Sequence, residues 1–171
     1  MLPFFKPKHY NVSMKLLFRQ KAFTFFSSYN IFDESGKDIF FIKGKAGLVP
    51  KFEIQDAHHH LLGMIMSVPF KLVPHYAIYK NNIKVGEIIK SITFFKPKLE
   101  LTHKGWRIDG NYMGWDYTIK DNNDHIIATI SKELFKLTDT YSIDVVRRED
   151  ALDAVLVVVA IDAIKASNDM N

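Results

Sequence analysis

The chain has 171 residues, of which 47% are hydrophobic, 13% aromatic and 25% charged, enough apolar side chain for one or at most two folded domains, which excludes disorder. Its 23 Lys and Arg against 19 Asp and Glu give a net charge of +4, a mildly basic balance that suits anionic partners but lacks the dense basic stripe of a dedicated nucleic-acid binder. The absence of cysteine excludes disulfides, thiolate zinc sites, iron–sulfur clusters and cysteine nucleophiles together, and points to a cytoplasmic protein.

Residues 1–13 read as a mobile N-terminal extension: Phe4 and Phe5 stand among Pro3, Pro7 and lysines, and no apolar run leads to a small-residue cleavage site. From there an aromatic-x-Ile pattern repeats as Tyr29-Asn30-Ile31, Phe52-Glu53-Ile54, Tyr76-Ala77-Ile78, Tyr117-Thr118-Ile119 and Tyr141-Ser142-Ile143, with Leu99-Glu100-Leu101 as a weaker copy. The intervals are 23, 24, 23, 18 and 24 residues. Two large apolar side chains two positions apart are the alternation of a half-buried strand. Turn chemistry follows most copies, as in Asp33-Glu34-Ser35-Gly36, Lys80-Asn81-Asn82, His103-Lys104-Gly105 and Asp121-Asn122-Asn123-Asp124, and a second β-rich run follows each turn. Phe23, Phe70 and Phe135 each precede a repeat tyrosine by six residues. Strands are predicted over 15–20, 27–33, 38–43, 50–56, 60–67, 74–80, 83–91, 97–102, 106–109, 114–121, 125–132 and 139–146.

A helix is predicted over about 149–166, with Glu149 and Asp150 at its start and Lys165 at its end, followed by a polar tail over 167–171. The Val157-Val158-Val159 run favours strand locally, but the segment is too long for an ordinary strand and apolar all round, so it needs burial on every side. Its eight-residue apolar stretch, Ala154 to Ile161, falls short of the ~18 residues of a membrane span. Twelve strands leave a lumen that their own side chains do not fill, and an apolar helix fills it. The predicted fold is mainly β: one domain over 14–166, a twelve-stranded antiparallel closed β-barrel around a buried C-terminal hydrophobic helix. A two-sheet sandwich with an external helix is the alternative, and it would expose part of the valine-rich centre.

The stretch Met14 to Phe23, the Tyr29-x-Ile31 strand followed by Asp33-Glu34-Ser35-Gly36, the run Ile126 to Lys132, and Asp139-Thr140-Tyr141-Ser142-Ile143 before the apolar helix together resemble the LURP-one-related family. That family is part of the Tubby C-terminal-like superfamily, alongside the phospholipid scramblases. The resemblance covers Met14 to about Lys165 and implies the same twelve-stranded barrel around a central helix. It also implies contact with phosphoinositide headgroups or membranes, although no motif maps phosphate-binding residues onto this chain. The scramblases' cysteine-rich segment and calcium-binding acidic stretch have no counterpart here.

Among individual residues, the duplicated pentapeptide Phe4-Phe5-Lys6-Pro7-Lys8 and Phe94-Phe95-Lys96-Pro97-Lys98 is the leading lipid-binding candidate. Its rings suit a bilayer interface, and each lysine near an anionic surface is worth about 1 kcal/mol. The plain alternative places Phe94 or Phe95 in the barrel wall. His58 and His60, near Asp56, form a weak metal candidate on what should be a hairpin tip. Arg147 and Arg148 are weak anion-binding candidates beside the helix start, in competition with Glu149 and Asp150. Asp153 and Asp162 lie nine positions apart, on opposite sides of the helix.

No nucleophile elbow, phosphate-cradling glycine loop or HExxH occurs, so no catalytic residue and no cofactor are expected. Trp106 and Trp115 are read as wall residues rather than nucleic-acid stacking platforms. The expected protein is a non-enzymatic, non-integral binding domain, cytoplasmic and peripheral at the membrane, that docks on anionic phospholipid or on a protein partner. The alternatives are a protein-interaction scaffold without lipid binding, or an enzyme with a shallow surface site.

Overall fold

The computed structural model describes residues 13–19, 28–91, 98–133 and 140–168. The twelve strands are β1 (Met14–Arg19), β2 (Ser28–Asp33), β3 (Asp38–Lys45), β4 (Lys51–Asp56), β5 (Leu61–Ser67), β6 (His75–Lys80), β7 (Ile83–Ser91), β8 (Lys98–Leu101), β9 (Arg107–Asn111), β10 (Asp116–Lys120), β11 (Ile126–Glu133) and β12 (Thr140–Val145). They form one antiparallel sheet in which chain neighbours pair, except that β1 pairs with β12 from Met14↔Val145 to Arg19↔Thr140. β8 and β9 end the sheet; they approach within 8 Å but share no ladder, so the barrel closes except for one seam. Both strands are short there, and the turn between them sinks His103 and Trp106 into the core.

The repeat is the lumen's layering. Tyr29, Phe52, Tyr76, Leu99, Tyr117 and Tyr141 form one inward ring, and the residues two positions on, Ile31, Ile54, Ile78, Leu101, Ile119 and Ile143, form the next. The five isoleucines of the second ring are at most 1% exposed. Full burial of such a side chain contributes about 1.5–3 kcal/mol.

The helix α1 (Ala151–Asn168), entered through a 3-10 turn at Arg148–Asp150, occupies the space inside these rings. Every residue from Val155 to Ile164 is buried, which is why the strand preference of Val157-Val158-Val159 is overridden. Gly63 of β5 admits the helix closely: a Cβ there would stand 3.0 Å from Leu156 Cδ2 and from the Tyr79 carbonyl.

The two mouths differ. At the upper mouth, where α1 begins, lie the connections β2–β3, β4–β5, β6–β7, β8–β9 and β10–β11. Three of them share one turn, in which an aspartate Oδ1 accepts two backbone N–H groups: Asp33 from Ser35 and Lys37, Asp56 from His58 and His60, Asp121 from Asn123 and His125. At the lower mouth, where α1 ends, lie the loops 46–50, 68–74 and 112–115. Among the described residues no helix is long and apolar enough to cross a membrane.

Candidate functional site

Continuing the repeat two further positions gives a third inward layer at the upper mouth, and there Lys80 and His103 meet the first turn of α1. The Asp153 carboxylate, only 3% exposed, accepts from His103 Nε2 at 2.9 Å and from Lys80 Nζ at 2.9 and 3.0 Å. Lys104 Nζ reaches it at 3.3 Å and bonds Asp150 at 2.9 Å, and Arg147 Nε closes on Asp150 at 2.8 Å. Burial works against the charge on Asp153, but the His103 and Lys80 hydrogen bonds and the nearby Lys104 outweigh it and hold the carboxyl well below the usual range. Lys104 also lies 4.7 Å from the centre of the Trp106 ring. With Asn81, Ile83 and Val85 this cluster lines a concavity of about 540 Å³. His103 has one nitrogen on Asp153 and the other facing the Val85 carbonyl at 3.5 Å, so the cluster acts as an ionic lock between β6, the β8–β9 turn and α1.

The lower end of the lumen is the electrostatic opposite. Asp162, also 3% exposed, lies near Tyr29, Tyr76 and Tyr117, and burial pushes its carboxyl well above the usual range against the pull of Lys165. Burial, then Asp162, raises the Tyr76 phenol to about 12, and its hydroxyl donates to the Ala163 carbonyl at 3.4 Å. Lys165 Nζ sits 3.9 Å from the centre of the buried Trp115 ring.

The rim of the lower mouth carries exposed apolar tips. Leu48, Phe70 and Leu72 are 103%, 104% and 104% exposed. Lys71 and Lys98 are exposed on this rim, and among the described residues neither is in an ion pair. Lys45 and Lys51 share the single carboxylate of Glu53, while Asp116 is an acid of the same rim.

The residues singled out from sequence are dispersed over this frame. Phe4, Phe5, Lys6, Lys8, Phe94, Phe95 and Lys96 lie outside the described residues, and Lys98 opens β8. Ser13, which precedes β1, lies at the upper mouth, whereas Ser91, which ends β7, and Lys98, which opens β8, lie at the lower mouth. Arg147 is committed to Asp150, with Glu149 at 3.3 Å, whereas Arg148 is exposed. The His58 and His60 rings are 6.1 Å apart, and His60 Nδ1 lies 3.0 Å from Asp56 Oδ2. Among the described residues no group of three His, Asp or Glu is placed to hold a metal. In the sequence Lys80, His103 and Lys104 read only as turn residues, although Lys80 and His103 fall four residues after Tyr76 and Leu99 on the inward parity of the repeat.

Residues 14–162 match the sequence profile of a family described as LURP-one-related. The chain is 25% identical over 152 residues to YxjI of Bacillus subtilis (strain 168), an uncharacterised protein, across 88% of this chain and 93% of that one. A protein from Arabidopsis thaliana with an X-ray structure superposes with a TM-score of 0.65 at 17% identity, over 90% of this chain and 92% of that chain, a likeness of fold.

Proposed function

The chain belongs to the LURP-one-related family, and from that premise we propose a non-enzymatic binding domain that docks peripherally, from the cytoplasm, on anionic phospholipid membrane. The observation that carries the reading is the separation of charge between the mouths. The upper mouth sets Glu34, Asp124 and Glu149 among its cations, whereas the lower rim presents Lys71 and Lys98 without paired acids. Each such lysine contributes about 1 kcal/mol near an anionic surface, which suits weak, salt-sensitive association with phospholipid or phosphoinositide headgroups. Among the described residues, α1 is buried from Val155 to Ile164 inside the barrel and occupies the lumen that a barrel enzyme would use for its substrate, which supports binding over catalysis.

The test is sedimentation with phosphatidylcholine vesicles of graded phosphatidylserine content, with and without a phosphoinositide, at low and high salt. Binding should rise with anionic lipid and fade as salt screens the charges. No binding at low salt to strongly anionic vesicles would overturn the reading and favour a protein-interaction scaffold.

A further inference from the structure

Single exposed leucines are ordinary on protein surfaces, but three fully exposed large apolar side chains on adjoining loops at one mouth are not. The β3–β4 and β5–β6 loops are tied at their bases, where the Ser67 N–H donates to the Pro50 carbonyl at 2.9 Å. Val68 N–H donates to the His75 carbonyl at 2.8 Å, and Lys90 N–H to the Pro74 carbonyl at 2.9 Å, so the segment Val68-Pro69-Phe70-Lys71-Leu72-Val73-Pro74 is anchored at both ends. Its tip is held outward at a cost. Phe70 follows Pro69 with φ 59°, a left-handed turn position that suits glycine and disfavours an aromatic residue. Strain of this kind persists where the surrounding structure fixes it, and it marks candidate functional positions.

We infer that the lower mouth inserts Leu48, Phe70 and Leu72 into the interfacial layer of an anionic bilayer, so that the barrel stands on the membrane with the C-terminal end of α1 facing it. This inference rests on the membrane-docking reading above and adds the face, the penetrating side chains and the orientation. Lys71, between Phe70 and Leu72 in sequence, meets the headgroups while its neighbours enter the apolar layer, the pairing that an anionic interface rewards. The upper mouth is less suited to that contact: its exposed large apolar side chains, Leu61, Ile83, Ile126 and Val146, are only 39–67% exposed, and its turns are built on Asp33, Asp56 and Asp121.

The experiment uses the natural absence of cysteine, since one introduced thiol takes one label. Leu48→Cys, Phe70→Cys and, at the upper mouth, Asn123→Cys are each labelled with an environment-sensitive fluorophore and mixed with phosphatidylserine/phosphatidylcholine vesicles. A blue shift and gain of intensity at positions 48 and 70, with none at 123, is the expected result. In the full chain without a label, the Phe70→Asp, Leu72→Asp double variant should bind the same vesicles about tenfold or more weakly while keeping its unfolding midpoint. If the unmodified chain sediments with vesicles but the labels at 48 and 70 stay silent, or the one at 123 responds instead, the orientation is overturned and the docking reading survives. If the unmodified chain does not sediment at all, both fall. A concentration-dependent shift at position 70 without lipid would assign the face to a second copy of the chain and overturn the inference.

Discussion

A Cβ on Gly86 would stand 2.9 Å from both Cα and Cβ of His103, so the β8–β9 turn lies on the bare backbone of β7. That contact is what lets His103 reach Asp153 beside the open seam. Gly86→Ala should therefore lift the turn, lengthen the His103–Asp153 bond and cost about 1–3 kcal/mol, measured as a lower urea midpoint. An unchanged midpoint would mean that the turn is free to move.

Asp153 holds Lys80, His103 and Lys104 together, and its removal leaves Lys80 and His103 without that anion while Lys104 keeps only Asp150. Asp153→Ala should cost roughly 3–5 kcal/mol, the usual loss when one partner of a buried ion pair is removed. The pH dependence has a definite sign. Because the folded carboxyl lies well below its unfolded value near 4, its stabilisation is complete above about pH 4 and is lost as pH falls further. Asp153→Asn should flatten the acid side of a stability-against-pH curve.

Asp162, on the same helix, has the opposite sign. Its folded carboxyl is raised well above the unfolded value, so stability is greatest below about pH 4 on this account and declines as pH rises towards the folded value. Asp162→Asn should raise Tm more at pH 7.5 than at pH 4.5, by about 2–4 °C for each kcal/mol recovered. A pH-independent effect would show that the carboxyl is not held protonated.

Phe70→Gly separates the two things Phe70 does. Glycine relieves the left-handed backbone, at some entropic cost, so stability should stay within about 1 kcal/mol of the parent or rise slightly. Vesicle binding should fall in the same variant. A loss of both would show that the Phe70 ring packs on the barrel.

The strands and the helix were legible because they repeat one instruction. Tyr76-x-Ile78 and its copies fix inward parity, and the Asp, Asn and Gly runs fix the upper turns. Asp153 and Asp162 were visible as helix acids, but their opposite environments were not, since Lys80 of β6 and His103 and Lys104 of the β8–β9 turn are brought in from 49 to 73 residues away. The seam was also hidden, because it depends on how short β8 and β9 are and on His103 lying over Gly86. In the sequence Phe70 shows only a spacing regularity with Tyr76; an aromatic residue six positions before a strand tyrosine carries no signal of which way it points.

The joining of β1 to β12 around a helix that comes last in the chain sets a timetable for biogenesis. Neighbouring hairpins can zip as they leave the ribosome, but Leu16 has no partner at Ile143, and the isoleucine ring nothing to enclose, until β12 and α1 have been made. A nascent or prematurely stopped chain ending near Val145 would therefore present an unfilled apolar trough to chaperones and proteases.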